Sequence, residues 1–291
     1  SFRTVIIDFP AERFWKEYCE IICMNEKFIQ IFRFTGKYFA AEKENSPALT
    51  LSIPGNLTGG ENNMAVLKAE NLIKIYGKGE NQVKALNGVS LSVEKGEFVA
   101  VVGTSGSGKS TLLHMLGGLD RPDSGKVYIE DKDIFALKEE ELTIFRRRKI
   151  GFVFQSYNLV PVLSVYENVV LPVELDGKKA DRAFVNDILD TLGIREKAAN
   201  LPGQLSGGQQ QRAAIARALA AKPAILLCDE PTGNLDSRTS QDVLGLLKIS
   251  GQKFSQTIVM ITHNEEIAQM ADRIIRIEDG RILASRGRRM A

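Results

Sequence analysis

Short apolar runs recur along most of the chain, each followed by polar or glycine-rich residues. Three of them, at 98–102, 224–228 and 258–261, have the length and composition of buried strands. Two other segments predict helices: residues 110–119, and residues 209–219, which we interpret as a basic amphipathic helix. The pattern therefore predicts buried strands and helices joined by polar loops.

The first 63 residues differ in pattern from the rest. They contain nearly half of the aromatic residues, including the only tryptophan, and few glycines. Clear strand and turn signals start at Met64, and codons for residues 59–61 can form a purine-rich ribosome-binding sequence just before it. We predict that residues 1–63 are a leader outside the native fold and that 64–291 form the domain. The alternative is a short amphipathic membrane or partner helix within residues 11–34.

Composition narrows the classes of function only slightly. The chain has 291 residues, of which 44% are apolar and 25% charged, and its net charge is +2. This near-neutral balance gives no reason to expect bulk binding to nucleic acid or to anionic lipid. The sequence contains neither an uninterrupted apolar run of membrane-spanning length nor a secretory signal with a cleavage site.

A glycine-rich loop follows the first predicted strand and precedes a predicted helix. It matches the pattern G-x-x-x-x-G-K-[ST] and consists of Gly103, Thr104, Ser105, Gly106, Ser107, Gly108, Lys109 and Ser110. The glycines let backbone N–H groups curl around the α- and β-phosphates of a nucleotide. In such loops the lysine reaches the β- and γ-phosphates, and the hydroxyl of the last residue binds Mg²⁺. The sequence therefore predicts a nucleotide site.

Two acidic residues follow the second predicted strand. Asp229 and Glu230 stand at its carboxyl end, where ligands of open parallel sheets bind. Asp229 fits the carboxylate that orients Mg²⁺ beside a phosphate-binding loop, and Glu230 fits a residue that polarises the attacking water. His263 follows the third strand, and we interpret it as functional because it is placed beside the expected γ-phosphate. His114, inside the first helix, is interpreted as a packing residue.

A second phosphate-binding pattern occurs about a hundred residues after the first. Ser206, Gly207 and Gly208 precede the predicted amphipathic helix. A helix start offers free N–H groups and a favourable dipole, and glycines leave no side chain to block an anion. The chain therefore carries two such patterns.

Together these motifs resemble the nucleotide-binding subunit of an ABC transporter, from Met64 to about Arg281. The motifs of that family occur in order: the adenine-stacking aromatic Tyr76, Walker A from Gly103 to Thr111, Gln155 of the Q-loop, the signature from Leu205 to Gln209, Walker B from Ile225 to Glu230, the D-loop from Asn234 to Asp236, and the switch histidine His263. One departure is Cys228, a position that is usually small and apolar in the family. Cysteine is itself a small hydrophobe, so we expect no loss of activity.

The resemblance implies an α/β fold, the P-loop NTPase cassette, with a mostly parallel core sheet. An antiparallel β subdomain, formed by residues 68–76 and 88–102, would hold the adenine. A helical subdomain would occupy about 156–220, with helices at 164–175 and 180–193.

The resemblance also implies ATP and Mg²⁺ as cofactors and ATP hydrolysis as the reaction. Glu230, His263 and Gln155 are then the catalytic residues, and the metal ligands are Ser110, Gln155 and Asp229. In the family two subunits pack head to tail. The signature residues Ser206, Gly207, Gly208 and Gln209 would therefore complete the ATP site of a second copy, which explains two phosphate patterns in one chain.

Two stretches, 145–175 and 229–237, resemble the group that serves lipoprotein release, macrolide efflux, antimicrobial-peptide resistance and cell division, with a bacitracin-type exporter favoured. The membrane permease would be a separate polypeptide, which places this subunit on the cytoplasmic face of the membrane. Four apolar residues after Gln155 would either grip the permease or pack inside the helical subdomain: Tyr157, Leu159, Val160 and Leu163. We interpret the charge run 146–149 as a solvated helix end.

Three other classes of ATPase contain a similar nucleotide-binding domain. DNA-repair and chromosome-organising ATPases insert a long coiled coil between Walker A and signature, and this chain has no heptad run there. Translation-factor relatives carry two cassettes, and this chain has one. The class that stays open is a non-transporting partner of a cell-division or antibiotic-sensing membrane complex.

Overall fold

The computed structural model of the protein describes residues 65–287, so the leader hypothesis for residues 1–63 concerns residues outside the described part. The strands are β1 (Ala65–Tyr76), β2 (Val83–Glu94), β3 (Phe98–Val102), β4 (Ser124–Ile129), β5 (Lys132–Asp133), β6 (Ile150–Phe154), β7 (Ile225–Asp229), β8 (Thr257–Thr262), β9 (Arg273–Glu278) and β10 (Arg281–Gly287). The helices are α1 (Lys109–Leu116), α2 (Glu139–Lys149), α3 (Val165–Glu174), α4 (Arg182–Thr191), α5 (Gly207–Ala220), α6 (Ser237–Lys253) and α7 (Glu265–Ala268). No helix within this range combines the length and apolar character needed to cross a membrane.

A six-stranded sheet forms the centre of this region, in the order β10-β9-β3-β8-β7-β6. All neighbouring pairs are parallel except β10 with β9. The three apolar runs of the sequence are the adjacent central strands β3, β8 and β7. Because the carboxyl ends of parallel strands meet at one edge, the loops after these strands come together there.

Both faces of the central strands β3, β8 and β7 are buried. Along β3, Phe98, Ala100 and Val102 belong to the core that α3, α4, α5 and α6 cover. The alternate residues Val99 and Val101 face a second core, shared with α1 and the antiparallel sheet. Strands covered on both sides carry apolar residues at every position, which is why these runs lack alternation.

The antiparallel sheet has four strands in the order β2-β1-β4-β5. The predicted antiparallel pair is present, with Leu72 of β1 opposite Val89 of β2. The predicted second segment, 88–102, was wrong as a single strand. The chain turns at Gly96, where φ is +79°, so residues 83–94 stay in the antiparallel sheet and 98–102 enter the central sheet.

The predicted helices α3 and α4 lie between β6 and β7, as does α5. The amphipathic interpretation of α5 was wrong, because most of its residues are buried, among them Gln211 and Arg217. Helix α5 packs against α3 and α4 on one side and against β6 and α6 on others. A helix surrounded by other elements needs few polar positions.

The interpretation of residues 146–149 as a solvated helix end was wrong for Arg146 and Arg147, whereas the side chains of Arg148 and Lys149 are 49% and 42% exposed. Arg146 is buried, and its guanidinium donates to the carbonyl of Gly118 at 2.6 Å. Arg147 and Arg148 both pair with Asp176, whose side chain is only 4% exposed. The run therefore ties the end of α2 to the turn after α3.

Candidate functional site

A cavity of about 360 Å³ opens at the carboxyl edge of the central sheet. It is lined by residues of the glycine-rich loop and the first turn of α1, by Ala85 of β2, and by Glu230 and His263, two of the three predicted catalytic residues. The order of strands in the central sheet thus brings together residues that are more than a hundred positions apart. The signature residues 206–209 do not line this cavity.

The glycine-rich loop has the backbone shape of a phosphate cradle. Gly106 and Gly108 have φ values of +78° and +101°, which side-chain-bearing residues adopt only with strain. A Cβ atom at Gly108 would lie 2.3 Å from the carbonyl oxygen of Ala85. Helix α1 begins at the next residue, so its N-terminal N–H groups and dipole point at the cavity. The arrangement fits the phosphates of a nucleotide.

Lys109 supplies the cation of this cradle. Its ammonium donates to the carbonyl oxygens of Gly103 and Thr104 at 2.9 and 2.7 Å, within its own loop. Burial lowers the pKa of Lys109, and the nearby carboxylates of Glu230 and Asp229 oppose that shift. The ammonium is thus desolvated and held by two neutral acceptors, which a phosphate anion would outcompete.

Ser110, which lines the cavity, is bonded to Asp229 at the carboxyl end of β7. The Ser110 hydroxyl donates to Asp229 Oδ1 at 3.3 Å. A hydroxyl and a carboxylate are ligands that Mg²⁺ accepts, and this ion commonly completes its shell with waters and phosphate oxygens. Within residues 65–287 no group of three or more His, Cys, Asp or Glu side chains forms a metal cluster. The pair therefore suits a metal that arrives with a phosphate ligand.

Glu230 and His263 form a second pair at the cavity wall. His263 Nδ1 lies 3.4 Å from Glu230 Oε1, and the histidine side chain is 66% exposed. The backbone of Glu230 is left-handed, with φ of +43°, and its N–H donates to the carbonyl of Ile261 at the end of β8. Such strain in a non-glycine residue is typical of functional sites. It turns the glutamate side chain toward the cavity.

Tyr76 lies at the end of β1, with 41% of its surface exposed. Its hydroxyl donates to Asp120 at 2.9 Å, and Lys74 bonds to the same carboxylate at 3.0 Å. Burial and the hydrogen bond to Asp120 raise the pKa of Tyr76 to about 12, and a contact with Thr111 acts in the opposite direction. The ring is therefore fixed beside the phosphate loop by Asp120, a residue that the sequence analysis did not identify.

Gln155 is not brought to the Ser110–Asp229 pair. Its side-chain amide donates to Asn234 Oδ1 at 2.9 Å, and Asn234 Nδ2 donates back to the Gln155 carbonyl at 3.1 Å. A Cβ atom at Gly233 would lie 2.6 Å from the Gln155 amide nitrogen. The structure thus pairs the predicted metal ligand Gln155 with the D-loop.

The signature residues shape the start of α5. Ser206 and Gln209 form a capping box, in which Gln209 N–H donates to the Ser206 hydroxyl at 3.4 Å and Ser206 N–H donates to Gln209 Oε1 at 2.9 Å. A Cβ atom at Gly207 would lie 2.8 Å from the hydroxyl oxygen of Tyr157, and one at Gly208 would lie 2.4 Å from Thr239 Cγ2. A side chain at either glycine would therefore displace Tyr157 or Thr239.

Comparison with known proteins connects this site to one family. The chain matches the ABC transporter family over residues 86–233. It is 46% identical over 222 residues to the lipoprotein-releasing system ATP-binding protein LolD of Geobacter metallireducens, covering 76% of this chain and 99% of that protein. The chain belongs to the ABC transporter family. It is therefore an ATP-binding and ATP-hydrolysing cassette.

Two other relatives of this ABC cassette are named as export proteins. It is 45% identical over 222 residues to the bacitracin export ATP-binding protein BceA of Halalkalibacterium halodurans, covering 75% of this chain and 87% of that protein. It is 46% identical over 221 residues to the macrolide export ATP-binding/permease protein MacB of Syntrophobacter fumaroxidans, covering 75% of this chain and 31% of that protein. The lipoprotein, macrolide and bacitracin group inferred from the motifs is confirmed.

Solved structures confirm the α/β cassette fold. The dimeric post-hydrolysis state of the ATP-binding cassette MJ0796, bound to ADP and phosphate, has a TM-score of 0.69 and 42% identity, covering 77% of this chain and all of that one. A second dimeric structure of MJ0796 has a TM-score of 0.70 and 43% identity, with the same coverage.

Proposed function

We propose that this ABC cassette binds ATP with Mg²⁺ in the cavity of the glycine-rich loop and hydrolyses it to drive a membrane permease. The observation that carries the proposal is the convergence of Lys109, Ser110, Glu230 and His263 on one cavity, with Asp229 bonded to Ser110 at its edge. Lys109 would bind the β- and γ-phosphates. Glu230 would accept a proton from the attacking water, and His263 would hold that carboxylate and the γ-phosphate in place.

The residues present fit a magnesium ion. Ser110 and Asp229 would hold it, and Mg²⁺ bound there neutralises charge on the β- and γ-phosphates. Gln155 joins these ligands in the proposal only after leaving Asn234, since its amide is paired with the D-loop here.

Asp229→Asn tests the metal site. We expect ATP turnover with Mg²⁺ to fall by about 10²-fold or more, because charge stabilisation by a bound metal contributes several kcal/mol. Binding of ATP in EDTA should stay within about threefold of the wild-type value, because the glycine-rich loop is unchanged. Asp242→Asn, which alters an exposed carboxylate on α6, is the matched control. Equal turnover in the two variants would contradict the assignment.

We also propose that two copies pack head to tail, so that Ser206, Gly207, Gly208 and Gln209 of each copy complete the ATP site of the other. Two observations support this: the signature lies outside its own cavity, and a cassette 42% identical forms a dimer with ADP and phosphate bound. The free N–H groups at the start of α5 would bind the γ-phosphate of the second copy's ATP.

The permease is proposed to be a separate polypeptide that holds the cassette at the cytoplasmic face of the membrane. Its docking surface would be the segment after Gln155 together with Leu201, where Val162 and Leu201 are 45% and 42% exposed. Leu159 packs on the core instead, so the proposal assigns docking only to the exposed residues of this segment. By analogy with the relatives, the permease exports a lipoprotein, a drug or an antimicrobial peptide. The chain is 46% identical to LolD and 45% identical to BceA, so sequence identity favours neither the lipoprotein nor the bacitracin type. Sequencing the neighbouring permease gene would decide between them.

Residues 64–291 are proposed to be the functional domain. A chain starting at Met64 should therefore retain the melting temperature and the ATP turnover of the full chain, because no nucleotide motif lies in residues 1–63. Thermal melting and steady-state hydrolysis of the two chains test this. A loss of several kcal/mol of stability, a large part of the typical 5–15 kcal/mol, would show that the segment packs on the domain.

A further inference from the structure

The turn that follows Gln155 has an unusual backbone. Tyr157 and Asn158 are consecutive non-glycine residues with φ values of +59° and +52°. Left-handed backbone in such residues is strained, and it persists only where the surroundings fix it. The turn lies between the predicted metal ligand and the proposed permease-docking segment, so its conformation affects both.

A single side chain binds both carbonyl groups of this turn. Arg217, from the third turn of α5, donates through Nη2 to the Tyr157 carbonyl oxygen at 2.8 Å and through Nη1 to the Asn158 carbonyl oxygen. The guanidinium is buried, and desolvation lowers the pKa of Arg217 to about 10, with no carboxylate of the described residues contributing to the shift. Two backbone acceptors thus hold a desolvated cation.

The turn also touches the other end of α5. The Tyr157 hydroxyl oxygen would lie 2.8 Å from a Cβ atom at Gly207, so the tyrosine covers the first residue of the signature helix. The turn is therefore fixed to α5 at two points, by Arg217 toward the carboxyl end of the helix and by Tyr157 at its start.

We propose that Arg217 is a positioning residue of the ATPase cycle, which holds the turn at Tyr157–Asn158 against α5 so that the Q-loop and the signature move as one body. The proposal rests on the proposed function, because the signature matters for hydrolysis only if it completes the site of a second copy. Arg217 touches neither the glycine-rich loop nor Tyr76, so its effect on a nucleotide must pass through the turn and the signature helix.

The test compares steady-state ATP hydrolysis by the full chain with Arg217→Gln, Arg217→Lys and a control, Arg212→Gln. Arg212 lies on the same helix and donates to the carbonyls of Leu192 and Gly208, so it controls for general damage to α5. We expect Arg217→Gln to lower kcat by about 10- to 10²-fold, the loss that small misplacements of a site produce. KM for ATP should stay within about threefold, because the glycine-rich loop is intact. Arg217→Lys, which keeps the charge and one donor group, should be intermediate.

A second measurement needs neither ATP nor a partner. Chymotrypsin should cut after Tyr157 faster in both Arg217 variants than in the wild type or in Arg212→Gln, because the turn is released only when Arg217 is changed. If Arg217→Gln does not fold, Arg217→Lys provides the result.

Equal losses of kcat in the Arg217 and Arg212 variants, a parallel rise in KM, or unchanged cleavage at Tyr157 would each overturn the proposal. A wild-type chain that hydrolyses no ATP would count against the proposed function instead, and the cleavage measurement would still decide whether Arg217 holds the turn.

Discussion

Glu230→Gln is expected to reduce ATP turnover by about 10²- to 10⁴-fold, the usual contribution of a general base. The amide has nearly the shape of the carboxylate, and the left-handed backbone at this position, with φ of +43°, is as accessible to Gln as to Glu. The cradle around Lys109 is unchanged, so ATP binding should persist. ATP should then hold two copies together, which size-exclusion chromatography at low Mg²⁺ would detect as a dimer.

The matched control is Glu266→Gln. A second cavity adjoins the nucleotide cavity, and Glu230 and His263 line both. Glu266 lines only the second cavity. Its substitution changes the local charge equally and should leave turnover within about twofold of the wild type. If Glu230→Gln turns over ATP at the wild-type rate, or if both variants lose the same activity, Glu230 is not the base.

The position of Glu230 could be predicted because it depends on where an apolar run ends more than on side-chain detail. Asp229, Glu230 and His263 each follow an apolar run too short for a helix, and parallel strands place such ends at one edge. The sequence does not contain the order β3-β8-β7, which places His263 between the phosphate loop and Glu230. The family resemblance assigned His263 its role without giving that order.

Side-chain pairing across the fold could not be predicted. The sequence marks Arg146 and Arg217 only as charges, yet both are buried and donate to backbone carbonyls 28 and 59–60 positions away. The bond of Gln155 to Asn234 spans 79 positions. Local periodicity contains no information about which long side chain reaches which distant carbonyl. It therefore assigned the arginines to solvent, and the family resemblance assigned Gln155 to the metal.

The glycines of the signature have a structural explanation that the sequence did not show. Their pattern suggested only an open path for an anion, whereas Tyr157 and Thr239 pack where the Cβ atoms of Gly207 and Gly208 would lie. A substitution of either glycine would therefore disturb packing within the chain as well as any contact with a nucleotide. Testing the shared site needs a change at Ser206, which is exposed at the start of α5.

The shared site predicts that two inactive variants restore each other. Lys109→Ala removes the cation of a copy's own cradle. Ser206→Arg removes a helix cap, which should cost about 1 kcal/mol of stability and leave the protein folded. The arginine blocks the signature that this copy contributes to the ATP site of the other copy. A homodimer of either variant has two damaged sites. In the mixed dimer both lesions fall in one site, because the damaged cradle faces the damaged signature, and the other site is intact.

The reciprocal mixture makes the test decisive. Here both substitutions are placed in one chain, which is mixed with the wild-type chain. A head-to-tail dimer of that composition has one lesion in each site, so neither is intact. If the signature instead served its own chain, the results would exchange: the mixture of single variants would have no intact site, and the mixture with the double variant would have one.

The measurement is the amount of ATP that stays bound to the purified mixed dimer. The two chains carry different tags, so only mixed dimers are collected, with the permease present if free cassettes do not pair. We expect one retained ATP per dimer for the mixture of single variants and none for the double variant with wild type. Retention is a better measure than turnover, because coupled sites can hydrolyse poorly when only one is intact. Retention by the second mixture alone would show that residues 206–209 act within their own chain, and the head-to-tail arrangement would have to be abandoned.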